Sequence, residues 1–142
     1  MSASATPSRP AIRHFLLGGL IAGGVSALLS MVYSFAYTAA TGQGVPEILN
    51  PVSITLSCVV TSLIGGLLYF GFSRWIPARA TLVFQIVAAA VAVLSLASSF
   101  PGQLPNGQPA PDFFPALSAP MHLIAGAVAA VLLPAYVTRR SA

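Results

Sequence analysis

Residues 15–38 read FLLGGLIAGGVSALLSMVYSFAYT, an apolar run that contains no Asp, Glu, Lys or Arg. At a rise of 1.5 Å per residue, a helix of this length spans roughly 36 Å. The hydrocarbon layer of a bilayer is about 30 Å thick, so the run is long enough to cross it once. The apolar segment of a cleavable signal peptide is shorter, at roughly 7 to 15 residues. The run therefore predicts an uncleaved transmembrane helix.

Three further blocks of the same kind follow, at 51–72, 80–98 and 120–137. The chain of 142 residues is 56% hydrophobic and 6% charged, whereas an average soluble domain is about 25% charged. The predicted fold class is an all-α membrane protein, an antiparallel four-transmembrane-helix bundle. Its outer loops would be 39–50 and 99–119. A disordered cytoplasmic N-terminus would occupy 1–14 and a cytoplasmic tail 139–142.

The charged residues divide between the two sides of this predicted bundle. All six basic residues lie in the tails or in the short connection between the second and third blocks: Arg9, Arg13, Arg74, Arg79, Arg139 and Arg140. Both acids, Glu47 and Asp112, fall in the outer loops. Because basic loops stay on the cytoplasmic side during insertion, both termini are expected in the cytoplasm. Nucleic-acid binding needs a continuous basic surface, which pairs of arginines at helix ends do not form, so no nucleic-acid partner is expected.

Small and polar residues recur at spacings of three and four along each predicted helix. In lipid, small side chains let helix backbones approach closely and polar side chains bond across the interface. The spacing favours the left-handed crossings of a four-helix bundle. Gly19 and Gly23 form a Gly-x-x-x-Gly step, which suits packing inside the monomer or a homodimer contact. The predicted helix-packing residues are Gly19, Gly23, Thr61, Gly65, Gln85 and Gly126.

Larger polar side chains are concentrated in the outer half of the predicted bundle. The inner half carries mainly Gly and Ala, so we expect a closed inner half and an outward-facing polar pocket. His122 is the strongest candidate, because an ionisable residue at membrane depth is costly unless it is paired or hydrated. The alternative is an interfacial histidine bonded to the outer loop, and the Pro-rich loop itself is a lid or only a connection. The predicted ligand-binding residues are His122, Tyr33, Tyr37, Ser57, Ser95 and Asp112.

Several kinds of chemistry are not expected. Cys58 is the only cysteine, which excludes the Cys-x-x-Cys pair of disulfide-generating membrane enzymes. No predicted helix contains the embedded carboxylate on which proton-coupled four-helix exporters rely. A metal site at His122 would need an outer-loop acid to converge on it, and His14 lies on the other side. We therefore expect no catalytic residues, no metal and no cofactor, and we do not expect an enzyme.

The run 119–126, Ala-Pro-Met-His-Leu-Ile-Ala-Gly, occurs here with a Pro-rich outer loop and a four-span layout that ends in arginines. In these features the chain resembles a family of small uncharacterised bacterial four-helix membrane proteins. The resemblance implies the four-helix fold and a bacterial cytoplasmic membrane, and it implies no mechanism.

Two functions are consistent with these residues. The first is a structural or accessory membrane protein that binds a membrane-protein partner, a second copy of itself or lipid, because every predicted helix carries a packing seam. The alternative is a ligand-binding or transport module that uses the outer pocket around His122. The first is preferred because the residues show no catalytic set.

Overall fold

The computed structural model describes residues 10–140. Most of the N-terminal segment predicted to be disordered lies outside this range, and so do the last two residues of the C-terminal tail. The predicted N-terminal segment 1–14 is too long by three residues, because the first helix already begins at Ile12. The long apolar stem of Arg13 can lie along the helix while its charge stays in water, so this residue does not stop the helix.

Four long helices form within the described residues: α1 (Ile12–Thr41), α2 (Pro51–Trp75), α3 (Ala80–Ser95) and α4 (Phe114–Arg139). Short 3-10 turns lie at Glu47–Leu49, Pro77–Arg79 and Leu96–Ser99. Each helix is long and apolar enough to cross a membrane, α3 when its two flanking turns are included. In this part of the chain, extended pairing is limited to an isolated bridge between Gln103 and Pro109. The predicted all-α, four-helix architecture is confirmed.

The start of α2 follows directly from two adjacent residues. The side chain of Asn50 accepts a hydrogen bond of 2.9 Å from the backbone N–H of Ser53, and Pro51 occupies the first turn. A free N–H at a helix start needs such an acceptor, and proline has no N–H to satisfy at that position. The Asn-Pro pair thereby sets the predicted boundary at residue 51.

The start of α4 lies six residues before the predicted one, at Phe114 rather than Pro120. The prolines of the outer loop suggested that regular helix could not form there. Pro115 is in the first turn, where a missing N–H costs nothing, and Pro120 lies inside the helix. The outer connection is correspondingly shorter than 99–119. His122 is consequently two turns inside the helix rather than in its first turn.

The helices form a ring in chain order. α1 packs along α2 and α4, α3 packs along α4 and over a shorter length along α2, and a few residues of α2 and α4 meet across the middle. Short connections between sequential helices make neighbours antiparallel. A cluster of buried residues shows this, since it joins Phe15 near the start of α1 to Tyr69 near the end of α2, Phe84 near the start of α3 and Val137 near the end of α4.

The two ends of the bundle differ in their charged residues and in their aromatic residues. The arginine end carries Arg13, Arg74, Arg79, Arg139 and Arg140, and it contains the cluster just described, with the Phe15 ring 5.2 Å from that of Tyr69 in an edge-to-face arrangement. The acidic end carries Glu47 and Asp112. Its core is formed by Ile54, Leu117 and Met121, against which Tyr33, Tyr37 and Phe113 pack.

Candidate functional site

The helices α1 and α2 approach each other closely, and glycines make this approach possible. A Cβ atom at Gly19 would lie 2.6 Å from the backbone oxygen of Ser62, and one at Gly23 would lie 2.7 Å from the Cα of Val59. From the other helix, a Cβ at Gly66 would lie 2.6 Å from the backbone oxygen of Phe15. The Gly-x-x-x-Gly step is therefore used inside the monomer, on the face where α1 meets α2.

The packing face of α2 differs from the predicted one by one residue. Thr61, predicted to pack, is exposed, and so is Ser57, predicted to line the outer pocket. Ser62 and Gly66 are buried instead, and Gly65 is half-buried, where an added Cβ atom would lie at an ordinary 3.8 Å from the ring of Phe84. Both stripes have helical spacing and small residues, so the sequence pattern favours neither of them.

Hydroxyl groups on α1 face the interior of the bundle. Ser26 and Ser30 are completely buried, and Ser34 is nearly so. Within the described residues, the hydroxyl oxygen of Ser26 has no hydrogen-bond partner, whereas the Ser30 hydroxyl faces the thiol of Cys58 on α2. Small volume is what these serines contribute to the α1 seam that the sequence predicted.

Two prolines inside α4 leave backbone carbonyls without their helical donors, and side chains from other helices bond to both. Pro134 has no N–H for the carbonyl of Ala130, and the side-chain amide of Gln85 donates to that oxygen at 3.3 Å. Pro120 likewise has none for Ala116, and the Tyr33 hydroxyl donates to that oxygen at 2.7 Å. These bonds tie α3 and α1 to α4.

The α3–α4 contact places the remaining predicted residues of these two helices. Gly126 lies against Ala92, where a Cβ on the glycine would collide with that of the alanine. His122 is half-buried, and its Nε2 atom lies 3.1 Å from the hydroxyl oxygen of Ser98. The Ser95 hydroxyl donates to the backbone oxygen of Ala92 at 2.8 Å, so it is engaged within its own helix.

The structure does not bring the predicted outer pocket together. Tyr33 and Tyr37 lie at the contact of α1 and α4, with the ring of Tyr37 6.4 Å from that of Phe113. His122 lies on the α3 side of α4, and Ser57 is on the exposed face of α2. The six residues are therefore spread over separate faces, because extending α4 by six residues places helix where the pocket was expected.

Asp112 instead lines a shallow hollow in the outer connection. This hollow has a volume of about 300 Å³, and its other walls are Ser99, Phe100, Pro101, Gly102, Ala110, Pro111 and Pro115. The Ser99 hydroxyl is itself used, since it donates to that of Ser118 at 3.2 Å in the buried contact between the 3-10 turn and α4.

A larger cavity, which the sequence did not predict, lies at the opposite end of the bundle. It has a volume of about 410 Å³, and we call it the arginine-end cavity. Its walls are Pro10, Phe15, Tyr69, Ser73, Arg74, Pro77, Ala80, Thr81, Val137 and Thr138. The expectation of a closed inner half is corrected only at its end: glycines bring α1 and α2 together in that half, and the cavity lies at the arginine end beside the buried rings of Phe15 and Tyr69. The sequence feature that could have indicated this cavity is the presence of hydroxyl residues beside arginines at three helix ends.

Metal-ligand side chains do not gather in the part of the chain that the structure describes. No three of its His, Cys, Asp and Glu residues lie close enough to hold an ion. His14 and His122 are at different ends of the bundle.

A family model described as "Family of unknown function (DUF6069)" matches residues 6–141. No curated protein and no solved structure matches the chain. The match covers the four helices and both tails almost completely, in agreement with the resemblance to an uncharacterised four-helix family.

Proposed function

The chain belongs to the DUF6069 family, whose function is unknown, and we propose that it is an accessory multi-pass membrane protein that binds a neighbouring transmembrane helix. The neighbouring helix belongs to a membrane-protein partner or to a second copy of the chain. The proposal concerns the exposed face of α2 that carries Ser57 and Thr61, here called the α2 hydroxyl face.

One observation carries this proposal. Thr61 lies near the middle of α2, at the depth of the hydrocarbon layer, and it is exposed together with Ser57 one turn away. In the described residues neither hydroxyl has a hydrogen-bond partner, whereas that of Thr55 donates to the backbone oxygen of Pro51 at 2.7 Å. A hydroxyl in hydrocarbon is stabilised by a bond to another helix, and small residues allow that helix to approach.

In the topology that we propose, the arginine end lies in the cytoplasm of a bacterium, and the bundle crosses the cytoplasmic membrane. The arginine end holds every described arginine, and the acidic end holds both acids, which supports this orientation by the rule that basic loops remain cytoplasmic.

Site-specific cross-linking in native membranes tests the proposal. A photoreactive residue replaces Thr61, and the matched control replaces Leu28, which is 62% exposed near the middle of α1 and faces lipid. We expect a protein adduct of defined mass from position 61 and only lipid adducts from position 28. An adduct of twice the chain mass identifies the partner as a second copy, and a larger heterologous adduct identifies another protein. Lipid adducts alone from position 61 would overturn the proposal.

The second candidate is a ligand-binding or transport module at the acidic end. It is supported by the hollow of about 300 Å³ beside Asp112, which is open to the outer surface. His122 and Tyr33 do not share a pocket, so this candidate depends on the hollow beside Asp112. Protection of Asp112→Cys from an impermeant thiol reagent by a solute would favour it over the accessory role.

A further inference from the structure

The arginine-end cavity combines an apolar floor with a polar rim. Phe15 and Tyr69 are buried at its floor, and Ser73, Arg74 and Thr138 lie at its rim. Its volume of about 410 Å³ falls within the range of roughly 300 to 1,000 Å³ that small-molecule sites occupy. Such a lining suits a ligand that has one apolar part and one charged part.

The charge at this rim is positive and has no internal counter-ion. Both acidic side chains of residues 10–140 lie at the acidic end, so no carboxylate side chain neutralises Arg74. The guanidinium carbon of Arg74 lies 5.0 Å from the ring centroid of Phe70. Stacking uses the face of the guanidinium group and leaves the N–H groups on its edge, where they can donate to an oxyanion.

A second donor comes from a pair of hydroxyls inside the cavity. The hydroxyl oxygens of Tyr69 and Thr81 are 2.7 Å apart, and either group can donate to the other. Only one of their two hydrogens is used between them, so the other remains for a ligand. The hydroxyls of Ser73 and Thr138 have no hydrogen left for a ligand, because each donates to a backbone carbonyl of its own helix.

We propose that the arginine-end cavity binds the phosphate group of an amphipathic or small anionic ligand. Arg74 holds the phosphate with its N–H edge, and the Tyr69–Thr81 pair donates the remaining hydroxyl hydrogen. The apolar portion of the ligand lies against Pro77, an exposed apolar residue of the cavity wall. Bidentate recognition by arginine is suited to phosphate oxygens. This site lies apart from the α2 hydroxyl face and does not depend on the partner helix proposed there.

Two sources supply this chemistry, a phospholipid headgroup and a soluble phosphate. The full chain in zwitterionic detergent micelles is titrated with phosphatidylglycerol in one arm and inorganic phosphate in the other, and adducts are counted by native mass spectrometry. Arg74→Gln should weaken binding roughly tenfold, as expected for loss of a charge-assisted hydrogen bond. Arg79→Gln removes the same charge from the same end, outside the cavity, and should change the affinity less than twofold.

The hydroxyl pair makes a sharper prediction. Tyr69→Phe and Thr81→Val each leave one hydroxyl hydrogen for the ligand, so either change alone should have little effect. The double variant loses the donor, and its affinity should fall roughly fivefold. Arg74→Lys keeps the charge and should recover part of the affinity lost in Arg74→Gln. Thermal unfolding midpoints without ligand show that each variant is folded.

The outcomes separate the site from general surface charge. Equal losses for Arg74→Gln and Arg79→Gln, or no saturable adduct in either arm, would overturn the cavity as a phosphate site. Saturable phosphatidylglycerol adducts that depend on Arg74, with no saturable adduct in the inorganic phosphate arm, support it and identify a lipid headgroup. Saturable inorganic phosphate adducts with the same dependence on Arg74 support it and identify a soluble ligand.

Discussion

Gly23 lies in the close contact between the backbones of α1 and α2, and its neighbour Gly24 faces open space. A Cβ at Gly23 would be 2.7 Å from the Cα of Val59, a backbone atom that cannot rotate away. A Cβ at Gly24 would meet no atom within 4 Å. The two positions differ in tertiary surroundings alone, because both are glycines in the interior of one helix.

Gly23→Ala should therefore lower the free energy of unfolding by about 1 to 3 kcal/mol, the usual cost of inserting a methyl group into a packed interface. Gly24→Ala should raise it by about 0.5 to 1 kcal/mol, since alanine favours helix over glycine. Denaturant unfolding of the purified protein in micelles measures both values. Equal changes at the two positions would contradict the close α1–α2 contact.

His122 also acts at the scale of one residue. Replacing it by alanine removes the 3.1 Å contact with Ser98, and we expect a loss of about 0.6 kcal/mol in unfolding free energy, typical of a bond between membrane helices. The cross-link from position 61 should be unchanged, because Thr61 lies on the exposed face of α2 and does not take part in this contact. Loss of that cross-link in His122→Ala would count against the accessory role as proposed, since the partner would then depend on α3 and α4.

At the scale of elements, α4 depends on its neighbours for two of its own carbonyl bonds. Pro120 and Pro134 each remove one helical donor, and Tyr33 and Gln85 supply donors from α1 and α3. A helix that contains two prolines is thereby kept regular enough to span the membrane. Each bond also fixes the depth of one helix against another.

A double-mutant cycle tests this dependence. Gln85→Leu should destabilise the bundle by about 1 kcal/mol, because the carbonyl of Ala130 is left without a donor. In Pro134→Ala the helix regains its own N–H donor, so the same Gln85→Leu change should cost much less. Unfolding in micelles gives all four values. Strictly additive effects would show that the Gln85 amide and the Pro134 gap are unrelated.

For the whole molecule, the proposed orientation in the membrane depends on the charges at the two ends of the bundle. The arginine end and the acidic end are separated by the length of the helices. Insertion with the arginine end outside would move five described arginines across the membrane, against the retention of basic loops in the cytoplasm. The proposed orientation therefore depends on the residues at the ends of the helices rather than on helix packing.

Single-cysteine labelling measures this orientation in a Cys58→Ser background, which removes the only natural thiol. Ala78→Cys lies in the exposed turn at the arginine end, and Asn106→Cys lies in the exposed outer connection. An impermeant thiol reagent added to intact cells should label position 106 and label position 78 only after lysis. Labelling of both positions in intact cells, or of position 78 alone, would refute the proposed topology.

The number of spans, the α2 boundary at Asn50 and Pro51, and the separation of arginines from acids followed from the sequence alone. Each depends on local interactions, either on how a short segment partitions between water and lipid or on hydrogen bonds within a few residues of a helix end. An apolar run of bilayer length partitions into lipid whatever the rest of the chain does, and an Asn-Pro pair caps a helix with atoms three residues away.

The tertiary structure decided which stripe of α2 packs, where α4 begins and where a cavity remains. Adjacent residues on a helix are about 100° apart, so the stripes containing Thr61 and Ser62 offer nearly equal small-residue patterns, and only the approach of α1 selects between them. The prolines of α4 are tolerated because side chains distant in sequence satisfy the carbonyls they expose. The cavity beside Arg74 arises where four helix ends meet, from contacts between residues that are far apart in the sequence.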